Sequence, residues 1–243
     1  MSKPIRLSAD LGEGAQVEAL LMPHLTYCNI ACGGHYGNEI SMRHAVNLAK
    51  INKVKIGAHP SYPDKKYFGR KIMDISTAAF EKTLKSQLSS FKKVCLSLGA
   101  QIYHAKAHGA LYHDIVSNNK LREVYLKVVF DTLGDVKIMI PGHVTAIELG
   151  LNESEVIYEA FGDRRYNDQL QLMSRSIKDA ILEDIDEIEG QIIMMSQQEM
   201  LTSHMGRSYR FRSDTICLHG DHPQLRVYFP KLIQNLKIQG LLK

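Results

Sequence analysis

The 243-residue sequence has few cysteines and no long hydrophobic run. Its four cysteines, Cys28, Cys32, Cys95 and Cys217, show no CxxC spacing and lie in or beside apolar stretches. This pattern indicates buried free thiols in a reducing compartment, and neither a disulfide framework nor a zinc knuckle. No apolar run approaches the roughly 20 residues needed to cross a bilayer. The opening residues, MSKPIRLSADLGE, contain no apolar core of a secretory signal, so we expect a cytoplasmic protein.

Several short signatures of binding and catalytic sites are also missing. The chain has neither GxxxxGKS nor GxxxxGKT, which excludes a P-loop, and ACGGHYG does not match the GxGxxG pattern of dinucleotide binding. No GxSxG elbow occurs, which argues against the hypothesis of a serine hydrolase. HExxH does not occur either, so the ligands of any metal site would have to come from separate strands.

Charge of neither sign dominates the sequence. Lys and Arg number 30 and Asp and Glu 26, which gives a formal net charge of +4. The excess is small and unclustered, so it does not predict nucleic-acid binding. We interpret the basic stretch KKYFGRK at 65–71 as an exposed loop, with a phosphate-binding patch as the alternative.

Short β-branched runs alternate with longer segments of helical periodicity. The runs predict seven strands, at 5–9, 25–32, 54–58, 101–107, 136–140, 155–161 and 215–219. Helical spacing predicts helices at 41–50, 76–98, 121–133, 184–201 and 223–236. Strands that alternate with helices pair in parallel. We therefore expect one domain over residues 1–243, a seven-stranded (β/α) barrel, complete or incomplete. A doubly wound open sheet is the alternative.

Each predicted strand ends at an ionisable residue beside a glycine or proline. Because the carboxyl ends of barrel strands form one rim, where barrel enzymes carry their chemistry, these residues are expected to converge. They are Asp10, Glu13, His35, His59, Lys106, His108, His143, Asp163, Arg164, Arg165, His219 and Asp221. Four histidines, at 35, 59, 108 and 219, are the stronger candidates. The other seven, at 24, 44, 104, 113, 143, 204 and 222, are interpreted as hydrogen-bonded groups.

The residue types at this rim allow more than one chemistry. Imidazoles and carboxylates could bind a divalent metal that keeps an open position for water, or could act as general acid and base without one. The adjacent Arg164 and Arg165 could clamp a substrate carboxylate, or form exposed ion pairs with a neighbouring helix. Cys32 could be a nucleophile near His35, but a buried thiol is favoured.

Six motifs occur together in a fixed order: SADLGEG, CNIACGGHYGN, IGAHPSYPD with FGR, KAHGALY, EAFGDRRY and ICLHGD. In this order and spacing the sequence resembles the LamB/YcsF family, the A subunits of 5-oxoprolinase. The resemblance implies a somewhat irregular seven-stranded (β/α) barrel, like those of polysaccharide deacetylases and related glycoside hydrolases. It also implies ATP-dependent opening of 5-oxoproline to glutamate, with ATP as co-substrate and subunits B and C as partners.

The resemblance also implies a set of site residues. Catalytic roles are expected for Asp10, Glu13, His59 and His108. Substrate binding is expected for Asn29, His35, Arg70, Lys106, Arg164, Arg165, His219 and Asp221. A divalent metal, if used, would lie among Asp10, His35, His59 and His108.

The sequence departs from the family pattern at Ser8, Gly34, Asn38, Ser61, Ala107 and Gln169, which puts the exact substrate in question. The competing functions are a stand-alone metal-dependent deacetylase or amidase, and a non-catalytic regulatory subunit that binds a carboxylate.

Overall fold

Seven parallel strands close into a barrel in the computed structural model, which describes residues 3–242. The barrel strands are β1 (Leu7–Leu11), β2 (Tyr27–Ala31), β3 (Lys55–His59), β4 (Ile102–Ala105), β5 (Lys137–Pro141), β6 (Val156–Phe161) and β9 (Thr215–His219). The last strand, β9, pairs with both β6 and β1 and so closes the ring. All seven predicted strands are confirmed, and the open sheet is excluded.

The barrel is irregular around β4. This strand pairs with β5 through two residue pairs only, His104 with Lys137 and Ala105 with Ile138. Its register with β3 shifts between Ile56 and Gly57. A Cβ atom at Gly57 would lie 2.2 Å from Nε2 of His104, so only glycine leaves room for that imidazole.

The helices pack around the barrel through apolar faces. They are α1 (Glu18–Leu21), α2 (Glu39–Ile51), α3 (Thr77–Ser97), α4 (Ala110–Ser117), α5 (Asn119–Leu133), α6 (Ile185–Ile193) and α7 (Leu225–Ile238). Side chains of Asn38, Ser76 and Asn118 cap α2, α3 and α5 by accepting backbone N–H groups of the first turn. Among the described residues, no helix is both long and apolar enough to span a bilayer.

The prediction of one helix at 184–201 is wrong in its second half. Helix α6 ends at Ile193, a π-helical turn follows over Met194–Gln198, and Glu199 takes a left-handed conformation with φ 52°. A hairpin of β7 (Met200–Thr202) and β8 (Ser208–Arg210) then buries Leu201. The apolar residues that continue the helical pattern are thus buried by a hairpin, a tertiary contact that local periodicity does not encode. Helix α4 was not predicted at all.

The barrel interior is apolar at one end and polar at the other. Tyr27, Met139 and Ile157 form a small buried cluster inside it. Further along the strands, Ser8 of β1 contacts Glu159 of β6, and Asp10 of β1 contacts Lys106, the residue that follows β4. These contacts therefore cross the barrel, toward the carboxyl ends of the strands.

Candidate active site

Two carboxylates and three imidazoles converge at the carboxyl-terminal rim and form what we call the acid–histidine cluster: Asp10, Glu13, His35, His59 and His108. Nε2 of His59 lies 3.3 Å from Oδ2 of Asp10 and 3.7 Å from Oε1 of Glu13. Nδ1 of His108 lies 3.3 Å from the same Glu13 oxygen and 3.0 Å from His59 Nε2. His35 contacts Glu13 at 2.8 Å and stacks on the His108 ring. The predicted convergence of these five residues is therefore observed.

Backbone carbonyls fix the tautomers of the two central histidines. Nδ1 of His59 lies 2.8 Å from the carbonyl oxygen of Lys106, and Nε2 of His108 lies 2.9 Å from that of Phe68. A carbonyl can only accept, so each of these nitrogens carries a hydrogen. In the neutral rings, His59 Nε2 and His108 Nδ1 then present lone pairs toward each other and toward two carboxylate oxygens. Such an arrangement of acceptors is stable only with a positive charge among them, either a proton or a bound cation.

The segment after β3 explains how the chain holds these rings. The backbone N–H of His108 donates to the carbonyl of Pro60, so the segment after β4 is tied to the segment after β3. Asp64 accepts the N–H of Tyr67 and its carbonyl accepts that of Gly69, forming the turn that presents the Phe68 carbonyl to His108. The rigid sequence after His59 therefore orients its neighbours.

Burial and charge act in opposite directions on the cluster. Burial alone would raise the pKa of Asp10, but nearby His59 and Lys106 hold the pKa well below its usual value. Burial likewise opposes ionisation of Glu13, while its contacts with the His108 and His35 rings hold its pKa below the usual value. Burial lowers the pKa of His35 to about 4, so this ring is neutral at physiological pH.

Lys106 lies beneath the cluster between two buried carboxylates. Its Nζ donates to both oxygens of Asp10, at 2.9 and 3.1 Å, and lies 2.9 Å from Oε1 of Glu159. These charges raise the pKa of Lys106 well above its usual value despite the effect of burial, which alone would lower it. Because Asp10 and Glu159 already bind its ammonium group, Lys106 positions Asp10 and is poorly suited to bind a substrate carboxylate.

A hydrogen-bonded chain supports Asp10 from its other side. The Asn29 amide donates to Oδ1 of Asp10 at 2.8 Å, and His104 Nε2 lies 2.6 Å from the Asn29 oxygen. Because the Asn29 nitrogen donates to the carboxylate, its oxygen accepts from His104. His104 therefore lies inside the barrel as a hydrogen-bonded strand residue and not in a loop.

His219, at the end of β9, is oriented by a buried carboxylate. Its Nδ1 lies 2.8 Å from Oδ1 of Asp163, whose second oxygen accepts the His219 backbone N–H at 2.7 Å. Although burial opposes it, the charge and hydrogen bonds of His219 lower the pKa of Asp163 to about 2. The imidazole therefore donates from Nδ1 and leaves Nε2 for the cavity that it lines.

A cavity of about 500 Å³ opens above the acid–histidine cluster. Its lining includes Asp10, Glu13, His59, Lys106, His108, His113, His143, Arg70, Arg164, Arg175 and His219. At its mouth, Arg70 and Arg175 both bind the carboxylate of Asp221. Arg165 lies outside this lining and pairs with Glu187 of α6 at 2.8 Å, so the two adjacent arginines do not form one clamp.

The same cluster contains two groups of donor atoms with the composition of a metal site. Ligand atoms of Asp10, His59 and His108 lie within 4.8 Å of one another, as do those of Glu13, His35 and His108. Imidazole nitrogens and carboxylate oxygens are typical ligands of Zn²⁺ and related divalent ions. The two facing lone pairs fit such an ion, and they fit a shared proton equally well.

The four cysteines, and the departures from the family pattern at Gly34, Asn38 and Ser61, lie outside the acid–histidine cluster and the lining of its cavity. All four cysteines are buried and unpaired by disulfides, and burial raises the pKa of Cys32, which argues against a nucleophilic thiolate. A Cβ at Gly34 would lie 2.4 Å from Oγ of Ser61, so these two departures are neighbours in space. Asn38 caps α2, a role that aspartate performs equally well. The basic segment 65–71 is largely exposed, as interpreted.

Comparison with known proteins identifies the family. The sequence model of the LamB/YcsF family matches residues 5–241. The chain belongs to the LamB/YcsF family.

Relatives of this LamB/YcsF chain match it over nearly their whole length. The 5-oxoprolinase A subunit of Neisseria meningitidis serogroup C (strain 053442) is 34% identical over 240 residues, covering 98% of both chains. That of Haemophilus influenzae (strain PittEE) is 34% identical over 238 residues, covering 97% of this chain and 96% of the relative. A crystal structure of a lactam utilization protein from Thermus thermophilus superimposes with a TM-score of 0.82 at 25% identity, covering 97% and 98% of the two chains.

Some site residues of this LamB/YcsF chain were missed by the sequence reasoning. Glu159 lies within the apolar run VIYEAF, where a lone acidic residue in a buried strand was the available signal. Asp163 was expected at the rim but was given no catalytic or substrate-binding role, and its contact with His219 was not foreseen. Arg175 lies in the segment 162–184, whose sequence carries no periodic pattern, so nothing local could place it at the mouth.

Proposed function

We propose that this chain is the A subunit of an ATP-dependent 5-oxoprolinase, which hydrolyses the lactam of 5-oxo-L-proline to L-glutamate together with subunits B and C. The observation that carries the proposal is the acid–histidine cluster at the barrel rim. Its two lone-pair nitrogens and two carboxylate oxygens lie within reach of one small molecule. The names of the relatives, 5-oxoprolinase A subunit and lactam utilization protein, supply the substrate class.

The chemistry of the substrate explains the need for ATP. A five-membered lactam is a resonance-stabilised amide, and its carbonyl carbon is a poor electrophile at neutral pH. Phosphorylation of the amide oxygen by ATP would make that carbon open to attack by water. This phosphoryl transfer releases ADP. One water then adds to the carbon, and cleavage of the C–N bond, with a proton placed on the nitrogen, gives an acyl phosphate. A second water hydrolyses the acyl phosphate to the carboxylate of glutamate and phosphate.

The acid–histidine cluster can perform both proton transfers of the ring-opening step. An imidazole with a free lone pair, such as His59 or His108, can accept the proton of the attacking water. The same proton can then be donated to the leaving nitrogen. Asp10 and Glu13 stabilise the imidazolium formed between these steps, since both lie within 4 Å of a central ring nitrogen. Lys106, Asn29 and Glu159 hold Asp10 in place.

Replacement of His108 by alanine tests this assignment. The variant is expected to lose glutamate release from 5-oxoproline, measured with subunits B and C and ATP, while keeping a cooperative thermal transition. His44→Ala is the matched control, because His44 is an exposed histidine on α2 away from the cavity. Retained turnover in folded His108→Ala would remove His108 from the mechanism.

A second candidate function, a metal-dependent amidase, is favoured by one observation: the facing lone pairs of His59 and His108 beside Asp10. These three residues would hold a divalent ion, which would supply a polarised carbonyl and an activated water. Stoichiometric metal in the purified chain, with hydrolysis of N-acyl substrates independent of ATP, would establish this function in place of the first. Binding of 5-oxoproline without turnover in the complete complex would instead indicate a regulatory role.

A further inference from the structure

Arg164 is a buried cation that lacks an acidic partner of its own. Only 6% of the residue is exposed. Its Nε donates to the carbonyl of Ala180 at 3.3 Å and its Nη2 to the carbonyl of Met173. Among residues 3–242, no carboxylate oxygen lies within 4.0 Å of its nitrogens. The nearby Asp163 is bound to His219 instead.

Such a charge is costly to bury and is normally compensated. A guanidinium removed from water requires a counter-charge or hydrogen bonds to all its N–H groups. Burial lowers the pKa of Arg164 to about 10, so the group remains protonated at neutral pH. Two backbone carbonyls accept hydrogen bonds from two of the five N–H groups of the guanidinium, and Nη1 donates to no described residue. Arg164 also lines the cavity above the acid–histidine cluster.

The charges around this cavity are separated into two regions. Three arginines of the lining lie near one another, because the charges of Arg175 and Arg70 both act on Arg164, and Asp221 lies between Arg70 and Arg175. Asp10 and Glu13 lie at the other end, with the central histidines. A small anion entering the cavity is therefore attracted to the arginines and repelled from the acidic end.

The other cations proposed from the sequence are already occupied. Lys106 is held between Asp10 and Glu159, and Arg165 is paired with Glu187 outside the cavity lining. Arg70 and Arg175 share Asp221. Among the cations of the described chain that were considered for the site, Arg164 alone combines burial, a place in the cavity lining and an unpaired charge.

We propose that Arg164 is the carboxylate-binding residue of this cavity, so that the site selects small lactams that carry a carboxylate over uncharged lactams of the same ring. The selectivity for a lactam rests on the proposed function, whereas the anion subsite does not. With the carboxylate on the planar fork of Arg164, the other end of the ligand points to His59 and His108. Arg164 is thereby a specificity-determining residue that sets the orientation of the substrate.

Paired ligands and paired variants test the subsite. The ligands are 5-oxoproline and its carboxamide, which share a ring and differ in charge. In the complex with subunits B and C, Arg164→Met is expected to raise KM for 5-oxoproline about 10- to 100-fold, the usual range for a lost charged hydrogen bond. The KM of the carboxamide should stay within about twofold. Arg164→Lys, which keeps the charge but not the fork, should fall between them.

A structural role for Arg164 predicts a different pattern. If the residue only joins the carbonyls of Ala180 and Met173, Arg164→Met would impair both ligands equally and lower the thermal transition, which would overturn the proposal. The matched control is Arg207→Met, which removes an exposed arginine paired with Asp168 away from the cavity lining. It should leave the preference for the acid unchanged.

Direct binding separates this inference from the proposed function. The full chain is titrated with both ligands by calorimetry. Preference of the wild type for the acid, lost in Arg164→Met, supports the subsite even where the complex releases no glutamate; the function alone would then fail. Glutamate release without discrimination between acid and carboxamide would leave the function standing and overturn the subsite. Equal binding of the two ligands would also overturn the subsite. A complex that binds neither ligand and shows no turnover would overturn it as well.

Discussion

Replacement of Glu159 by glutamine is expected to stabilise the protein at alkaline pH and not at acidic pH. Glu159 is completely buried in the barrel, with Oε1 on Lys106 and Oε2 without a partner among the described residues. Lys106 is shared with Asp10, so one ammonium serves two carboxylates. Burial raises the pKa of Glu159 to about 7, and the attraction of Lys106 only partly offsets it.

The sign and size of the effect follow from this pKa. The folded-state pKa lies above the usual 4.5, so the contribution of Glu159 to stability is fully present below about pH 4.5 and is lost as pH rises through 7. The shift from 4.5 to about 7, at 1.36 kcal/mol per unit, corresponds to about 3 kcal/mol. Glutamine resembles the protonated acid in shape and cannot ionise. The two proteins should therefore be of similar stability near pH 5, and Glu159→Gln more stable by up to about 3 kcal/mol at pH 8.

Urea unfolding followed by circular dichroism, for both proteins at several pH values between 5 and 8, measures this difference directly. Taking the difference between the two proteins cancels the titration of shared groups that do not interact with Glu159. A difference that stays flat over this range, or a glutamine variant that is less stable at pH 8, would show that ionised Glu159 is a net stabiliser and refute the reasoning.

Two further substitutions have predictable outcomes. Gly57→Ala should destabilise the protein by a few kcal/mol, because the new Cβ would meet the His104 ring. Gly190→Ala, at an exposed position of helix α6 with open space around it, should stabilise the protein by about 0.5–1 kcal/mol. Thermal melts compare the two variants, and equal effects would contradict the packing described at Gly57. Asp163→Asn should cost about 2 kcal/mol at neutral pH, because the low pKa of Asp163 gives stability that is present above about pH 3.8 and lost as pH falls through 2. Urea unfolding measures the loss of unfolding free energy caused by Asp163→Asn at pH 7 and at pH 3. This loss should be smaller at pH 3. An equal loss at both pH values would exclude the charge of Asp163 as its cause.

The sequence was most informative about the strands and the rim. Short β-branched runs of fixed order, such as VKIGA before His59, specified both the parallel strands and the side from which the ionisable residues project. Convergence of Asp10, His59 and His108 then followed from barrel geometry, because it depends on the ends of strands and not on their exact register.

Other parts of the site depend on contacts that are not local. Whether Glu159 faces the barrel interior depends on register, and its partner Lys106 comes from the segment that follows β4. The sequence alone could not show that Arg164 and Arg165 have different surroundings. Tertiary packing places Arg164 in the cavity lining, whereas Arg165 pairs with Glu187. Lys106, expected to bind the substrate, contacts two carboxylates of the protein itself.

The measurement that tests the central claim most directly is glutamate release from 5-oxoproline by this chain combined with subunits B and C, with and without ATP. We expect glutamate release that requires ATP, disappears when this chain is omitted, and disappears with His108→Ala but not with His44→Ala. A folded, assembled complex that forms no glutamate, or that forms it equally well with His108→Ala, would contradict the account.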